Sequence, residues 1–170
     1  VGLLVSIVII TLSALTMRRF DIRLETLATT DELTGTANRR AFDTNITESR
    51  SRAQRQKNPL SLIIFDIDKF KGINDSFGHQ TGDRVLKHIA SVVRNEIRPT
   101  DTLARWGGDE FAILIENTAD EARRLAERLQ RKLAETDASE IPATISIGIA
   151  QQEPDETEDS LIRRADRALY

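Results

Sequence analysis

Cysteine is absent from the 170 residues, which removes disulfides, thiolate metal sites and cysteine nucleophiles together and fits a reducing compartment. An excess of either charge is also missing. The chain has 24 Lys and Arg against 27 Asp and Glu, a formal net charge of -3 with the signs interspersed, so it lacks the basic footprint that nucleic-acid binding needs. Nucleic acid is therefore set aside as a partner, and small molecules and proteins are favoured. No internal repeat or low-complexity tract appears. With 39% hydrophobic residues, the chain can bury one ordinary core and carry a short appendage, but hardly two full domains.

The opening stretch lacks charge altogether. Val1 to Met17 reads VGLLVSIVIITLSALTM before meeting Arg18-Arg19, slightly short of the ~20 residues that cross a bilayer core. With no initiator methionine, the expectation is an excerpt that begins inside its last transmembrane helix, with residues 1–17 as that helix's C-terminal part. A buried core helix or a signal peptide is disfavoured by the unbroken apolar run and the lack of a small-residue cleavage pattern. Arginines directly after a span place the downstream chain in the cytoplasm, so the expected location is the inner membrane with the domain on its cytoplasmic side. Residues 18–29 read as a linker helix. From Met17 into it, Met17, Phe20, Leu24 and Leu27 recur by threes and fours, either as a coiled-coil seam or as an amphipathic helix lying on its own domain.

From Thr30 onward the pattern is that of a folded domain reaching Tyr170. A polar turn at Asp31–Gly35 leads to Asn38, a helix N-cap, and a long polar helix to about Gln56. Leu60 to Asp68 is a strand whose continuous apolar run suits a central position. Thr81 to Arg98 is a helix closed by Pro99, and the segment between strand and helix is read as a loop. Asp101 to Trp106 and Phe111 to Glu116 form a hairpin around Gly107-Gly108. Thr118 and Glu121 form a capping box for the next helix, Ile145, Ile147 and Ile149 mark a strand, and a last helix starts near Thr157. This order predicts an α+β fold with helices covering a mainly antiparallel sheet.

Two acidic motifs carry the chemistry. Asp66-Ile67-Asp68 ends a fully apolar strand, with two carboxylates two residues apart on one face. Alone, the pair reads equally as a loop cap and a salt bridge to a neighbouring lysine. Gly107-Gly108-Asp109-Glu110 sets two more acids beside bare backbone, where phosphates and a metal approach without a Cβ in the way. Carboxylate and carbonyl oxygens together suit a hard cation such as magnesium or manganese, which keeps phosphates and waters for its remaining positions.

Arg105-Trp106-Gly107-Gly108-Asp109-Glu110-Phe111 with Asp66-Ile67-Asp68 resembles the GGDEF family of diguanylate cyclases. The resemblance extends over Asp31-x-Leu33-Thr34-Gly35, Asn38-Arg39-Arg40, Phe70-Lys71, Asn74-Asp75, Phe77-Gly78-His79 and Ile145-Ser146-Ile147-Gly148, all in order. It implies a palm-like, ferredoxin-like core and the condensation of two GTP into cyclic di-GMP with release of two pyrophosphates, in a homodimer because each chain holds one GTP. It further implies Asp66, Asp109 and the carbonyl of Ile67 as metal ligands, with Glu110 completing the acidic site. Asn74 and Asp83 would read guanine. Amides of Lys69 and Phe70 with the charge of Lys71 would hold phosphates beside Gly107 and Gly108, and Arg105 would offset charge on the transferred phosphate. Arg98-Pro99-Thr100-Asp101, joined by Arg128, resembles the family's inhibitory site for its product.

Two features depart from the family's pattern. Thr36 stands where a leucine is usual, which predicts looser packing of the leading turn, and the basic residues that the family places after the Tyr170 position lie outside the chain. The competing reading is a catalytically silent module that binds GTP or cyclic di-GMP and signals through its contacts. A polymerase-like or mononucleotide-cyclase palm shares the two-metal logic, but the Asn74 and Asp83 pair and the glycine turn disfavour it.

Overall fold

The computed structural model describes residues 29–135 and 143–169. The expected membrane segment 1–17, nearly all of the linker and Tyr170 lie outside the described residues. Among the described residues no helix is long and apolar enough to cross a membrane.

Among the described residues, five strands and five helices make one layered domain. The strands are β1 (Ala37–Asn38), β2 (Ser61–Ile67), β3 (Thr102–Gly107), β4 (Glu110–Ile115) and β5 (Ile145–Gln151), and the helices are α1 (Arg39–Gln56), α2 (Phe70–Phe77), α3 (His79–Glu96), α4 (Ala119–Ala134) and α5 (Glu158–Leu169). The sheet order is β1-β3-β4-β2-β5. β1 runs parallel to β3 and every other pair is antiparallel, so the sheet is mixed, with the expected antiparallel character in its larger part.

β2 shows why a continuous apolar run makes a central strand. Its even positions, Leu62 and Ile64, face α1 and α5 through Phe42, Ile46, Leu161 and Ala165. Its odd positions, Ile63, Phe65 and Ile67, face α3 and α4 through Ile89, Val93, Leu125 and Leu129. With a period of two, a strand covered on both faces must be apolar at every position.

The helix ends follow their caps. Asn38 Oδ1 accepts the amide of Ala41 at 3.0 Å and opens α1. Thr118 Oγ1 accepts the amide of Glu121 at 3.4 Å. The other half of that box is not made, because the Glu121 carboxylate pairs with Arg124 at 2.5 Å instead.

One expectation is corrected outright. Residues 70–77 form a helix rather than a loop, and α3 starts at His79, two residues earlier than expected. Phe70 and Ile73 turn one face of α2 onto the core, and Gly78 at φ +82° breaks the chain between the two helices, a conformation that glycine adopts without strain. The helix also stops at Glu96, not Arg98. The leading turn is corrected too: Thr36 is 3% exposed, and its hydroxyl bonds Thr34 Oγ1 at 2.9 Å and the Ala37 carbonyl at 3.3 Å. A leucine's packing is thus replaced by hydrogen bonds, and the turn is closed rather than loose.

Candidate active site

The acidic site forms where β2 ends and the β3–β4 hairpin turns. Register puts Asp66 directly across from Glu110 on β4 and from Ser146 on β5. Asp109 stands in the two-residue turn before Glu110, behind Gly108 at φ +37°. Like charges facing each other across a ladder oppose its pairing, and Asp66 Oδ1 is buried without a hydrogen-bond partner. Burial first, and then the Asp109 and Glu110 charges, push the Asp66 carboxyl above its ordinary value, while a main-chain hydrogen bond at Ile67 pulls the other way. The Ile67 side chain is 1% exposed in the core against α3 and α4, so that residue has only its carbonyl to offer.

An orphaned buried carboxylate oxygen with a second acid beside it fits a hard cation. Among the described residues no three His, Cys, Asp or Glu side chains form a ready cage. A site with two carboxylates and a carbonyl matches magnesium, which completes its octahedron with phosphate and water rather than with protein.

Asp68 does not join this group. Its oxygens accept the hydroxyls of Thr144 at 2.5 Å and Ser146 at 2.6 Å, so β5 holds it, rather than the loop cap or lysine pair that the sequence suggests.

Arg105 bridges two turns beside this site. Its Nε and Nη2 donate to the Gly108 carbonyl at 2.9 and 2.7 Å, and its Nη1 lies 3.2 Å from Asp31 Oδ2. The guanidinium is thus engaged in fastening the glycine turn to the leading turn, where Asp31 Oδ1 also accepts the amide and hydroxyl of Thr34 at 2.9 and 2.6 Å. Burial raises the Asp31 carboxyl, and the Thr34 bonds with the Arg105 charge outweigh it, leaving it below its ordinary value. Arg105 therefore positions the turn; its planar fork suits two acceptors at once.

Of the expected guanine pair, Asn74 lies at the α2–α3 junction and Asp83 is exposed in the first turns of α3. A methyl built on Gly82 would stand 2.0 Å from Asn74 Oδ1 and 3.2 Å from Phe70 Cζ, so Asn74 and the Phe70 ring lie against the residue next to Asp83. Lys69 and Lys71 are exposed at the start of α2. Sequence reasoning missed Gly82, although an isolated glycine inside a helical pattern is itself a signal of close approach.

The expected inhibitory residues gather at the end of α3. Asp101 Oδ2 accepts the Arg98 amide at 2.9 Å, and burial raises its carboxyl against the opposing Arg98 contacts. Arg128 reaches the same helix end but is held by Glu96, at 2.6 Å to Oε2 and 3.2 Å to the carbonyl. Lys132 binds the other Glu96 oxygen at 2.6 Å. Glu96 was not anticipated.

Residues 28–170 match the family model described as diguanylate cyclase, GGDEF domain. The chain belongs to the GGDEF family. It is 42% identical over 148 residues to the diguanylate cyclase DgcP of Pseudomonas aeruginosa, covering 84% of this chain and 22% of that protein. It is 40% identical over 156 residues to DgcM of Escherichia coli, covering 90% of this chain and 38% of that protein. The chain thus spans well under half the length of these two relatives. Among solved structures, the coiled coil and GGDEF domain of DgcB from Caulobacter crescentus, in complex with c-di-GMP, superimposes with a TM-score of 0.87 at 33% identity, over 94% of this chain and 88% of that one.

Proposed function

We propose that this GGDEF domain is one half-site of a diguanylate cyclase that condenses two GTP into cyclic di-GMP and two pyrophosphates. The observation that carries the reading is Asp66 Oδ1, buried and unpartnered between two further acids, beside a glycine turn that leaves room for phosphate. Each GTP offers its 3′-hydroxyl to the α-phosphorus of the other, the new ester bond displacing pyrophosphate, so two chains must face each other. A homodimer is therefore part of the reading.

Asp66, Asp109 and the Ile67 carbonyl would hold magnesium or manganese, which when bound neutralises phosphate charge and favours ionisation of the attacking hydroxyl. The chain's own residues do the remainder. Asn74 and Asp83 satisfy guanine's O6 and its N1 and N2 hydrogens, since an amide and a carboxylate together supply the matching donor and acceptors. Amides of Lys69 and Phe70, with the Lys71 charge, receive the phosphates, and Gly107 and Gly108 keep side chains out of their way. Glu110 completes the acidic wall, and Arg105 keeps the turn that carries Asp109 in place.

Product would bind back at Arg98, Asp101 and Arg128 as feedback. In this reading residues 1–17 would belong to a membrane helix, 18–29 to a linker and 30–170 to the catalytic domain, with a palm-like core. It would be tethered to the inner membrane with its active site in the cytoplasm, where GTP is available. The silent-module alternative is less favoured because no acid or glycine of the turn is lost.

The test is direct. The full-length protein, dimerised, is incubated with GTP and magnesium, and cyclic di-GMP and pyrophosphate are measured in a 1:2 ratio. Asp109→Ala should abolish turnover with the fold intact. GTP binding without any cyclic di-GMP from the unsubstituted dimer would refute the enzyme reading.

A further inference from the structure

Asp68 is the carboxylate of the first acidic motif that the proposed chemistry leaves unused. The β2–β5 ladder ends at the pair Ile67 and Ile145, and beyond it three more bonds tie the strands together. The Asp68 amide donates to the Thr144 carbonyl at 2.9 Å, and its two carboxylate oxygens take the Thr144 and Ser146 hydroxyls at 2.5 and 2.6 Å. Each oxygen has its own donor, so the carboxylate plane is fixed toward β5.

The next residue shows what this holds. Lys69 has φ +57° and caps α2 without any side-chain hydrogen bond. A left-handed lysine is disfavoured by contact of its Cβ with the backbone and persists only where its surroundings determine it. From that one residue the chain reverses into α2, whose first turn is closed by the Ile73 amide on the Lys69 carbonyl at 3.2 Å. The reversal aims the Lys69 and Phe70 amides and sets the start of the helix that carries Asn74.

We propose that Asp68 is a positioning residue, a latch to Thr144 and Ser146 that holds the left-handed Lys69 turn in the form that receives nucleotide phosphate. The proposal rests on the GTP reading above. The latch acts on binding of the triphosphate and leaves the attacking and leaving groups to Asp66 and Asp109. Thr144 and Ser146 are exposed, so their substitution probes the latch without disturbing the core.

The test compares Asp68→Asn, the double variant Thr144→Val with Ser146→Ala, and the double variant Thr144→Ser with Ser146→Thr, in the full-length protein. Two measurements are taken on each, GTP turnover and hydrogen exchange of the Asp68 and Ile73 amides. The first two variants should raise KM for GTP by about five- to twenty-fold with kcat within about threefold. Their exchange should quicken about tenfold, and the hydroxyl-preserving variant should restore both. Unchanged exchange and KM in the Thr144→Val, Ser146→Ala protein would overturn the latch. So would loss of kcat in Asp68→Asn beside a native double variant, because Asp68 would then act on the reacting groups directly. Quickened exchange in a protein whose unsubstituted form binds no GTP would sustain the latch as the clamp of the turn and refute the nucleotide reading instead.

Discussion

Substituting Gly82 by alanine separates a small stability effect from a larger recognition effect. In isolation the change favours α3, since alanine is about 1 kcal/mol better than glycine in a helix interior. Against this, the new methyl would stand 2.0 Å from Asn74 Oδ1, 3.0 Å from its Cγ and 3.2 Å from Phe70 Cζ. Forcing a methyl into a filled space costs about 1–3 kcal/mol. The nearest obstacle is the far end of one side chain, so Asn74 gives way by rotation and the cost stays near the lower end. The net loss is at most about 2 kcal/mol, a fall in Tm of under about 8 °C.

Recognition fares worse. An Asn74 amide turned away leaves the polar edge of guanine unmatched, at about 1–3 kcal/mol, or about 5- to 150-fold in GTP affinity. Equilibrium binding of GTP and ATP with thermal melts decides the matter. Gly82→Ala should lose GTP affinity and its preference over ATP while staying folded. Asn74→Ala should lose the same amount, and the double variant should bind no worse than Asn74→Ala alone while melting above Gly82→Ala, because truncating Asn74 relieves the clash. Retained GTP selectivity in Gly82→Ala would refute the reasoning.

Arg105→Ala should cut turnover at least about tenfold, since the Gly108 carbonyl and Asp31 lose their shared partner, and Arg105→Lys should not restore it because one ammonium cannot span both acceptors; steady-state kinetics of the two variants with Asp31→Asn check this. Glu96→Gln should release Arg128 and Lys132 and lower the concentration of cyclic di-GMP needed for half-inhibition by about three- to tenfold, with the uninhibited rate unchanged. An unaltered inhibition curve would show that Glu96 does not compete for Arg128. Acid stability should depend on Glu156, whose carboxyl is lowered to about 2 chiefly by its bonds from Arg164, against opposing burial. A depressed folded value means that the contribution is complete above about 4.5 and is lost as pH falls toward about 2. The shift amounts to about 3 kcal/mol, reduced to about 2 by the water that Arg164 meets. Glu156→Gln should therefore lower stability near neutral pH and flatten the unfolding curve between those two values in denaturant titrations across pH.

Legibility followed the range of the interaction. β2, α3 and the hairpin were readable because a strand or helix that buries a face must repeat its apolar residues at the local period, and Leu62 to Phe65 or Val85 to Val93 do so within one element. The glycine turn and its acids were readable because phosphate chemistry needs them adjacent in sequence. α2 was not, since eight residues with Phe70 and Ile73 as core contacts give too short a pattern to distinguish from a loop. The partners of the charged groups were hidden for a different reason. Arg105 meets Asp31 across 74 residues and Asp68 meets Ser146 across 78, and no local pattern records where a charged side chain finds its counterpart.

That same division explains how the sheet tolerates the opposed acids. Asp66 and Glu110 repel across one rung, yet the adjacent rung pairs Phe65 with Phe111, whose rings stack at 5.2 Å and 6° on the opposite face of the sheet. Both rings are fully buried. Such a pair contributes about 0.5–1.5 kcal/mol beyond the area it buries, comparable with the roughly 0.2–1 kcal/mol scale of a cross-strand pair. A slip of one residue in β2 would drive the Phe65 ring to the α1 and α5 face and Asp66 into the α3 and α4 core. The aromatic rung therefore fixes the register that the acidic rung would otherwise disturb, and it is the core, rather than the site, that keeps Asp66 facing Asp109 and Glu110.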